Sequence, residues 1–224
     1  MKNLKLFRRA IQSLVVFGVF WLEKLVEYHL LEGKKSPPAL VWIVAAVGLV
    51  ALLYAVEWGI NTWFDHSEWM REAILQDDFI EGVWFNKVKA SGTALYGLLY
   101  IKVKEDSAVV HGTQYDEQGS LTGTWDSYMA EYHGNTLKYA YHVMYINQPE
   151  RQGVRGVSDI SFSKTVGMPK EYAGWFQDIC PHQQTATTFT FVGRRVTKQP
   201  QLGMLAGSEK DRAVKELIAE HANL

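Results

Sequence analysis

From Ala39 to Tyr54 the chain reads ALVWIVAAVGLVALLY, 16 residues without a charge, and Ala55 and Val56 prolong the run before the first acid, Glu57. No other feature narrows the possible folds as much. Carried on to Ile60, its 22 residues make about 33 Å of helix, enough to cross a hydrocarbon core. Pro37-Pro38 stands at its start, where proline costs a helix little. Trp58, Trp63 and Trp69 come after the run, as interfacial aromatics do. The alternative is a buried core helix, but uncharged runs of this length are rare in soluble domains.

A second apolar segment precedes it. Ile11–Leu22 is apolar, after Lys2, Lys5, Arg8 and Arg9, but Glu23, Lys24 and Glu27 break the apolar character beyond Leu22. A membrane helix at roughly 8–31 is the preferred reading, its charges near the far interface or against the partner helix. An amphipathic helix lying on the membrane is the alternative. A signal peptide is the third reading, although the segment lacks a small-x-small cleavage site after it. Four basic residues in the N-terminal tail, against Lys34 and Lys35 in the hairpin loop, keep the N-terminus cytoplasmic. Two crossings, about 8–31 and 38–60, then return residues 65–224 to the cytoplasm, whereas one crossing would export them.

Beyond the hairpin the polymer changes character, so the mean hydropathy of −0.13 averages two unlike halves. Residues 65–76 are polar-helical and extend the second helix as a neck. Strand signals then succeed one another at 79–89, 94–104, 108–115, 121–133, 136–146, 154–164, 171–179 and 185–196. Short turns join them, among them Gly134-Asn135. The expected architecture is a membrane protein with two N-terminal transmembrane helices (1–64) and an all-β domain (77–197). That domain reads as an eight-stranded antiparallel up-and-down, lipocalin-like barrel, because closure removes sticky edges. A β-sandwich is the runner-up. Glycines inside strands, at 82, 97, 112, 123, 156 and 174, suit the bulges and tight coiling of a small barrel. Gly82-x-Trp84 resembles the GxW of lipocalin-like barrels, where the tryptophan plugs one end. Residues 198–224 are a linker and a short helix, with Ala213, Val214, Leu217 and Ile218 as an apolar stripe. A frayed tail is the other reading.

Composition excludes several functions. With 23 Lys+Arg against 24 Asp+Glu, the net charge of −1 does not suit a nucleic-acid coater. One cysteine, Cys180, permits no intramolecular disulfide and no Cys₂ metal knuckle. His111, His133 and His142 lie on three successive strands, but the plainer reading is ordinary strand histidines, with no metal. No GxSxG, HExxH, Walker-type or GxGxxG sequence is present, so no catalytic residue and no cofactor is assigned. A barrel of eight strands just holds one small ligand, which favours binding over catalysis.

The aromatic-polar strands carry the candidate site. Tyr139 and Tyr141 share a face with Val143 and Tyr145. Thr124 and Ser127 flank Trp125, Arg155 lies on the sixth strand, and Trp175 on the seventh. A planar base stacks on such aromatics for about 1–3 kcal/mol each, and hydroxyls with one Arg suit phosphate oxygens. The alternative is that these tyrosines are core residues with hydrogen-bonded hydroxyls. Tyr139, Tyr141, Trp175, Thr124, Ser127 and Arg155 are the candidate ligand-binding set. Glu57, costly against lipid, is the candidate oligomerisation residue.

The order of these parts is itself informative. Two apolar helices precede GVW, then GTWDSYMAEY, LKYAY, RGVSDISFS, AGWFQD and TATTFTFVGR. Over about residues 8–196 the chain resembles the two-transmembrane, β-strand-rich effectors of the CBASS antiphage systems, associated with bacterial cGAS/DncV-like nucleotidyltransferases. The resemblance implies a cytoplasmic barrel that binds a cyclic di- or oligonucleotide. Binding drives homo-oligomerisation of the helices, disruption of the inner membrane and cell death. The competing reading is a lipocalin-like carrier or scaffold for a lipid or apolar metabolite, with export as one version of it. The charged second half of the first helix and the tail after Val196 depart from the family pattern.

Overall fold

The computed structural model describes residues 2–31, 39–89, 94–104, 107–146, 148, 151, 153–163, 167–179, 186–197, 202, 205 and 207–221. The chain divides into two compact units, Lys2–Gln76 and Asp77–Leu224.

The first unit is helical: α1 (Lys2–Leu31), α2 (Ala39–His66) and α3 (Glu68–Leu75). Phe7 near the start of α1 meets Phe64 near the end of α2, with ring centroids 5.3 Å apart. The two helices therefore form an antiparallel hairpin whose outer ends lie together, and Ile11 and Phe64 are buried there. Several other apolar side chains of the hairpin are exposed. Leu14, Phe17 and Phe20 on α1 and Val47, Leu52 and Tyr54 on α2 are 55–71 % exposed.

Among the described residues, no helix is long and apolar enough to cross a membrane. The two spans expected at about 8–31 and 38–60 are therefore not shown. In α1 the charges Glu23, Lys24 and Glu27 break the apolar run, and Lys24 is paired with Glu27. In α2 the first eight positions of the run, 39–46, are described for the backbone alone. The neck also differs from expectation. It does not continue α2: the chain breaks at Ser67, whose Oγ accepts a hydrogen bond from the Met70 N–H at 3.3 Å. That cap starts α3 as a separate helix.

The second unit is a closed barrel of eight antiparallel strands, each paired with its sequence neighbours and β1 with β8. The strands are β1 (Gly82–Lys89), β2 (Leu95–Lys104), β3 (Ser107–Tyr115), β4 (Leu121–His133), β5 (Thr136–Tyr145), β6 (Arg155–Phe162), β7 (Glu171–Ile179) and β8 (Thr187–Arg195). The expected strands all form. The first is shorter than 79–89 because Phe79 and Ile80 are buried ahead of it, in the stopper at one end of the barrel.

That stopper centres on Trp84, which is fully buried. Its indole N–H donates to the Ile80 carbonyl at 2.9 Å. Phe162 and Tyr172 pack on it at 5.1 and 5.3 Å between ring centroids. The Arg195 guanidinium lies 4.9 Å over the indole and donates to the Phe79 carbonyl. A cation over a desolvated ring, bonded to a backbone carbonyl as well, suits this water-poor position.

The strand glycines serve packing more than bulging. Trp125 faces Gly112 across the β3–β4 ladder, and a Cβ at Gly112 would stand 2.1 Å from the indole. Tyr141 faces Gly156 in the same way, 2.3 Å from where a Cβ would be. Each ring lies flat on a glycine. The register shifts fall elsewhere, at Ser107/His111, Gln114/Tyr115 and Ser127/Met129.

The C-terminal stripe forms a helix, α4 (Gly207–His221). Ala213, Val214, Leu217 and Ile218 are buried against Val83, Phe85, Tyr96 and Leu98 on the outside of β1 and β2. At about 1.5–3 kcal/mol for each large apolar side chain removed from water, this contact is enough to hold the helix.

Trp84→Ala should destabilise the protein by about 3–5 kcal/mol, the usual loss for a large aromatic core residue. Trp175→Ala, on a residue 40 % exposed, should cost no more than about 1 kcal/mol. Urea unfolding of the two variants measures the contrast.

Candidate functional site

Period-two alternation sends one side chain in two into the barrel. With Trp84 inside, the inward set on β5 is Leu137, Tyr139, Tyr141 and Val143, all buried in the core. Tyr139 and Tyr141 therefore do face the lumen, with ring centroids 5.6 Å apart.

The end opposite Trp84 is less completely filled. Asn86 and Tyr172 form a floor across the lumen, the amide donating to the phenol oxygen at 3.1 Å. Above the floor the walls are aromatic: Trp125, Tyr139, Tyr141, Tyr145, Phe176 and Phe191. Three polar side chains interrupt them, Asn86, Gln114 and Asp178. The cavity between them is about 40 Å³. That is room for a few waters.

Asp178 organises the mouth. It is 5 % exposed. Its Oδ1 accepts from the Tyr141 hydroxyl at 2.9 Å and its Oδ2 from the Tyr145 hydroxyl at 2.6 Å. Arg151, in the β5–β6 connection, donates to Tyr145 Oη at 3.0 Å and to Asp178 Oδ2 at 3.4 Å. Its guanidinium carbon also lies 3.8 Å from the centroid of the Tyr145 ring. The acid is thus buried with partners, as a buried charge must be.

Burial sets the ionisation of the lumen tyrosines. It pushes Tyr139 up to about 12, and the nearby Ser158 and Trp125 side chains offset part of that rise. Tyr141 is pushed well above the ordinary phenol value, first by burial and then by the negative charge of Asp178. Burial raises Tyr172 as well, against the opposing effect of the Asn86 bond.

The other candidate residues are not brought together. Trp175 and Arg155 point outward from β7 and β6, because their strands carry Phe176, Asp178, Gly156 and Ser158 at the inward positions. Thr124 is half-buried and lies opposite Thr113 and Met144 in the ladders. Ser127 accepts a hydrogen bond from the Val110 N–H at 2.9 Å, satisfying an amide at the register shift. Glu57 is half-buried in the helical unit. His111, His133 and His142 are exposed. Among the described residues no cluster of metal-ligating side chains occurs, and Cys180 and His182 lie outside them.

Sequence reasoning missed Asp178, Arg151, Tyr145 and Trp125 as site residues. Asp178 had a usable signal: it continues the inward series Tyr172, Gly174, Phe176 on β7. Arg151 had none, since it sits in a connection without periodicity.

The tyrosines make stability depend on alkaline pH. For Tyr139, the unfolded phenol loses its proton near pH 10 and the folded one near 12. The stabilisation is therefore complete below pH 10 and is lost as pH rises from 10 to 12. Spectrophotometric titration should show these phenols ionising together with unfolding, later than exposed tyrosines. No family model and no curated protein matches the chain.

Proposed function

We propose that the chain is a membrane-anchored sensor and effector of the CBASS type, whose barrel binds a cyclic nucleotide on the cytoplasmic side of the inner membrane. The observation that carries this reading is the mouth of the lumen. Aromatic walls, one buried acid and one arginine at the rim fit a heterocycle joined to a phosphate. A base stacks on the aromatic side chains at the mouth. The sugar–phosphate ring stays at the mouth, within reach of Arg151, because the enclosed space of about 40 Å³ is too small for a whole macrocycle. No residue has a catalytic role in this reading.

The helical unit supports the anchor. The apolar sequence of 39–60 and the exposed apolar side chains of α1 and α2 fit burial in lipid better than exposure to water. The antiparallel hairpin puts the start of α1 beside the end of α2, through Phe7 and Phe64. Both ends then leave the bilayer on the same side, the side that positive-inside makes cytoplasmic. Ligand binding shifts the population toward barrels that associate, and tethering in two dimensions lowers the affinity needed. Glu57 faces a neighbouring helix in the resulting oligomer, and the bilayer is breached.

A lipid carrier fits less well. It needs an empty, deep lumen, and in this one Asn86 bonds to Tyr172 across the bore and a fully buried Trp84 fills one end.

Three measurements test the proposal. Cyclic dinucleotides at 100 times their Kd should add about 2.7 kcal/mol to the stability of the full chain in detergent. A flat thermal response to a broad nucleotide panel overturns the sensor reading. A reporter fused after Val196 should read cytoplasmic, and a periplasmic signal overturns the topology. Glu57→Leu should change toxicity without changing ligand binding, and equal effects on both remove its oligomerisation role.

A further inference from the structure

The two charged partners at the mouth are unequally held. Asp178 is buried, and each of its oxygens already accepts from a phenol: Oδ1 from Tyr141 at 2.9 Å and Oδ2 from Tyr145 at 2.6 Å. Arg151 adds a third contact, to Oδ2, and at 3.4 Å it is the longest. A full-strength bond between a guanidinium and a carboxylate is about 2.7–2.9 Å long. The arginine also donates to Tyr145 Oη at 3.0 Å and to Gln148 Oε1 at 3.5 Å, and its side chain is 35 % exposed. It stands in the connection between β5 and β6, at the rim, so it can turn outward. The acid, set in β7 with a phenol on each oxygen, cannot follow it.

That asymmetry matters for an anion. A phosphate that approaches the rim meets the guanidinium charge and, directly behind it, the opposite charge of Asp178. In a poorly hydrated site the carboxylate cancels much of the attraction that the arginine exerts, and a like charge held beside a binding site opposes association. Among the described residues no basic side chain lines the cavity wall, so nothing on the wall offsets the acid. Towards Arg151, Asp178 thus takes the place that a phosphate oxygen of a ligand would take.

We infer that the Arg151–Asp178 contact is autoinhibitory: in the free protein the barrel's own carboxylate occupies the arginine that the ligand phosphate must take. This rests on the nucleotide-sensor reading above and adds the regulation of the same site. Binding exchanges one oxyanion for another at Arg151, while Tyr141 and Tyr145 keep Asp178 satisfied. The ligand gains only the difference between the two pairings. The resting contact therefore raises the ligand concentration at which the protein responds.

The test is calorimetric titration of the full chain in detergent with inorganic pyrophosphate and with a panel of cyclic di- and oligonucleotides. Asp178→Asn keeps an acceptor for the tyrosines and removes the charge. It should bind pyrophosphate about tenfold more tightly than the wild type, and Arg151→Ala in the same chain should abolish the gain. A cyclic nucleotide that binds the wild type should gain by a similar factor. A second readout needs no variant, so a poorly folded Asp178→Asn protein does not block the test. The Arg151 guanidinium carbon lies 3.8 Å from the centroid of the Tyr145 ring, and the ring shields the Arg151 Nε–H resonance. Pyrophosphate added to arginine-labelled wild type should move that resonance downfield, as the side chain leaves the ring. No gain in a folded Asp178→Asn chain, or a resonance that stays shielded while pyrophosphate binds, overturns the autoinhibitory role and leaves the sensor reading in place. A gain for pyrophosphate with none of the nucleotide panel bound overturns the sensor reading, and the contact then guards a site for another phosphate-bearing ligand.

Discussion

The ladder between β1 and β8 is the constraint on which the rest depends. It pairs Trp84 with Arg195 and runs to Lys89 with Thr190. Without it the sheet has two open edges and no inside. With it, every residue of every strand is assigned to the lumen or to the outer wall, because the side-chain period is two. The same pairing puts the Arg195 guanidinium over the Trp84 indole and within reach of the Phe79 carbonyl. Closure in the hydrogen-bond plane and closure of one end of the lumen therefore come from the same contact between first and last strand.

The two ends differ in what they bury. Around Trp84 the contacts are ring on ring, and the indole and guanidinium donate to backbone carbonyls. Around Asp178 they are side chain on side chain, drawn from β5, β7 and the β5–β6 connection. A network of that kind has alternative partners available for exchange, and a backbone bond within one strand entry does not. The two kinds of contact are thus separated along one barrel axis, with the Asn86–Tyr172 pair as the partition.

The strands were legible because polar and apolar residues alternate through them, and the terminal helix because Ala213, Val214, Leu217 and Ile218 recur at helical spacing. Which strand face points inward was not legible, for a physical reason. α4 covers Val83, Phe85, Tyr96 and Leu98, so β1 and β2 are buried on both sides and read as apolar on both. Tyr139 and Tyr141 were singled out as aromatics on one face of their strand with Val143 and Tyr145, and that face is the one that turns into the lumen. Trp175 was misplaced because an exposed aromatic and a lumen aromatic look alike in one strand. The contacts of Asp178 with Tyr141 and Tyr145 span 37 and 33 residues, and no local pattern encodes a pairing at that separation. The hairpin's apolar residues were equally plain in the sequence, and several of them, Leu14, Phe17 and Tyr54 among them, are exposed in the structure.

Gly112 and Gly156 lie beneath Trp125 and Tyr141, covered by the rings they support. Their lack of a side chain sets how flat each ring lies, and so how much of the barrel's bore stays unfilled. Adding a methyl group at either position would tilt a ring into the bore while every polar side chain of the lumen kept its identity. The calibre of the lumen and the chemistry of its lining are therefore separately heritable, because a residue that supports a ring changes the first without touching the second.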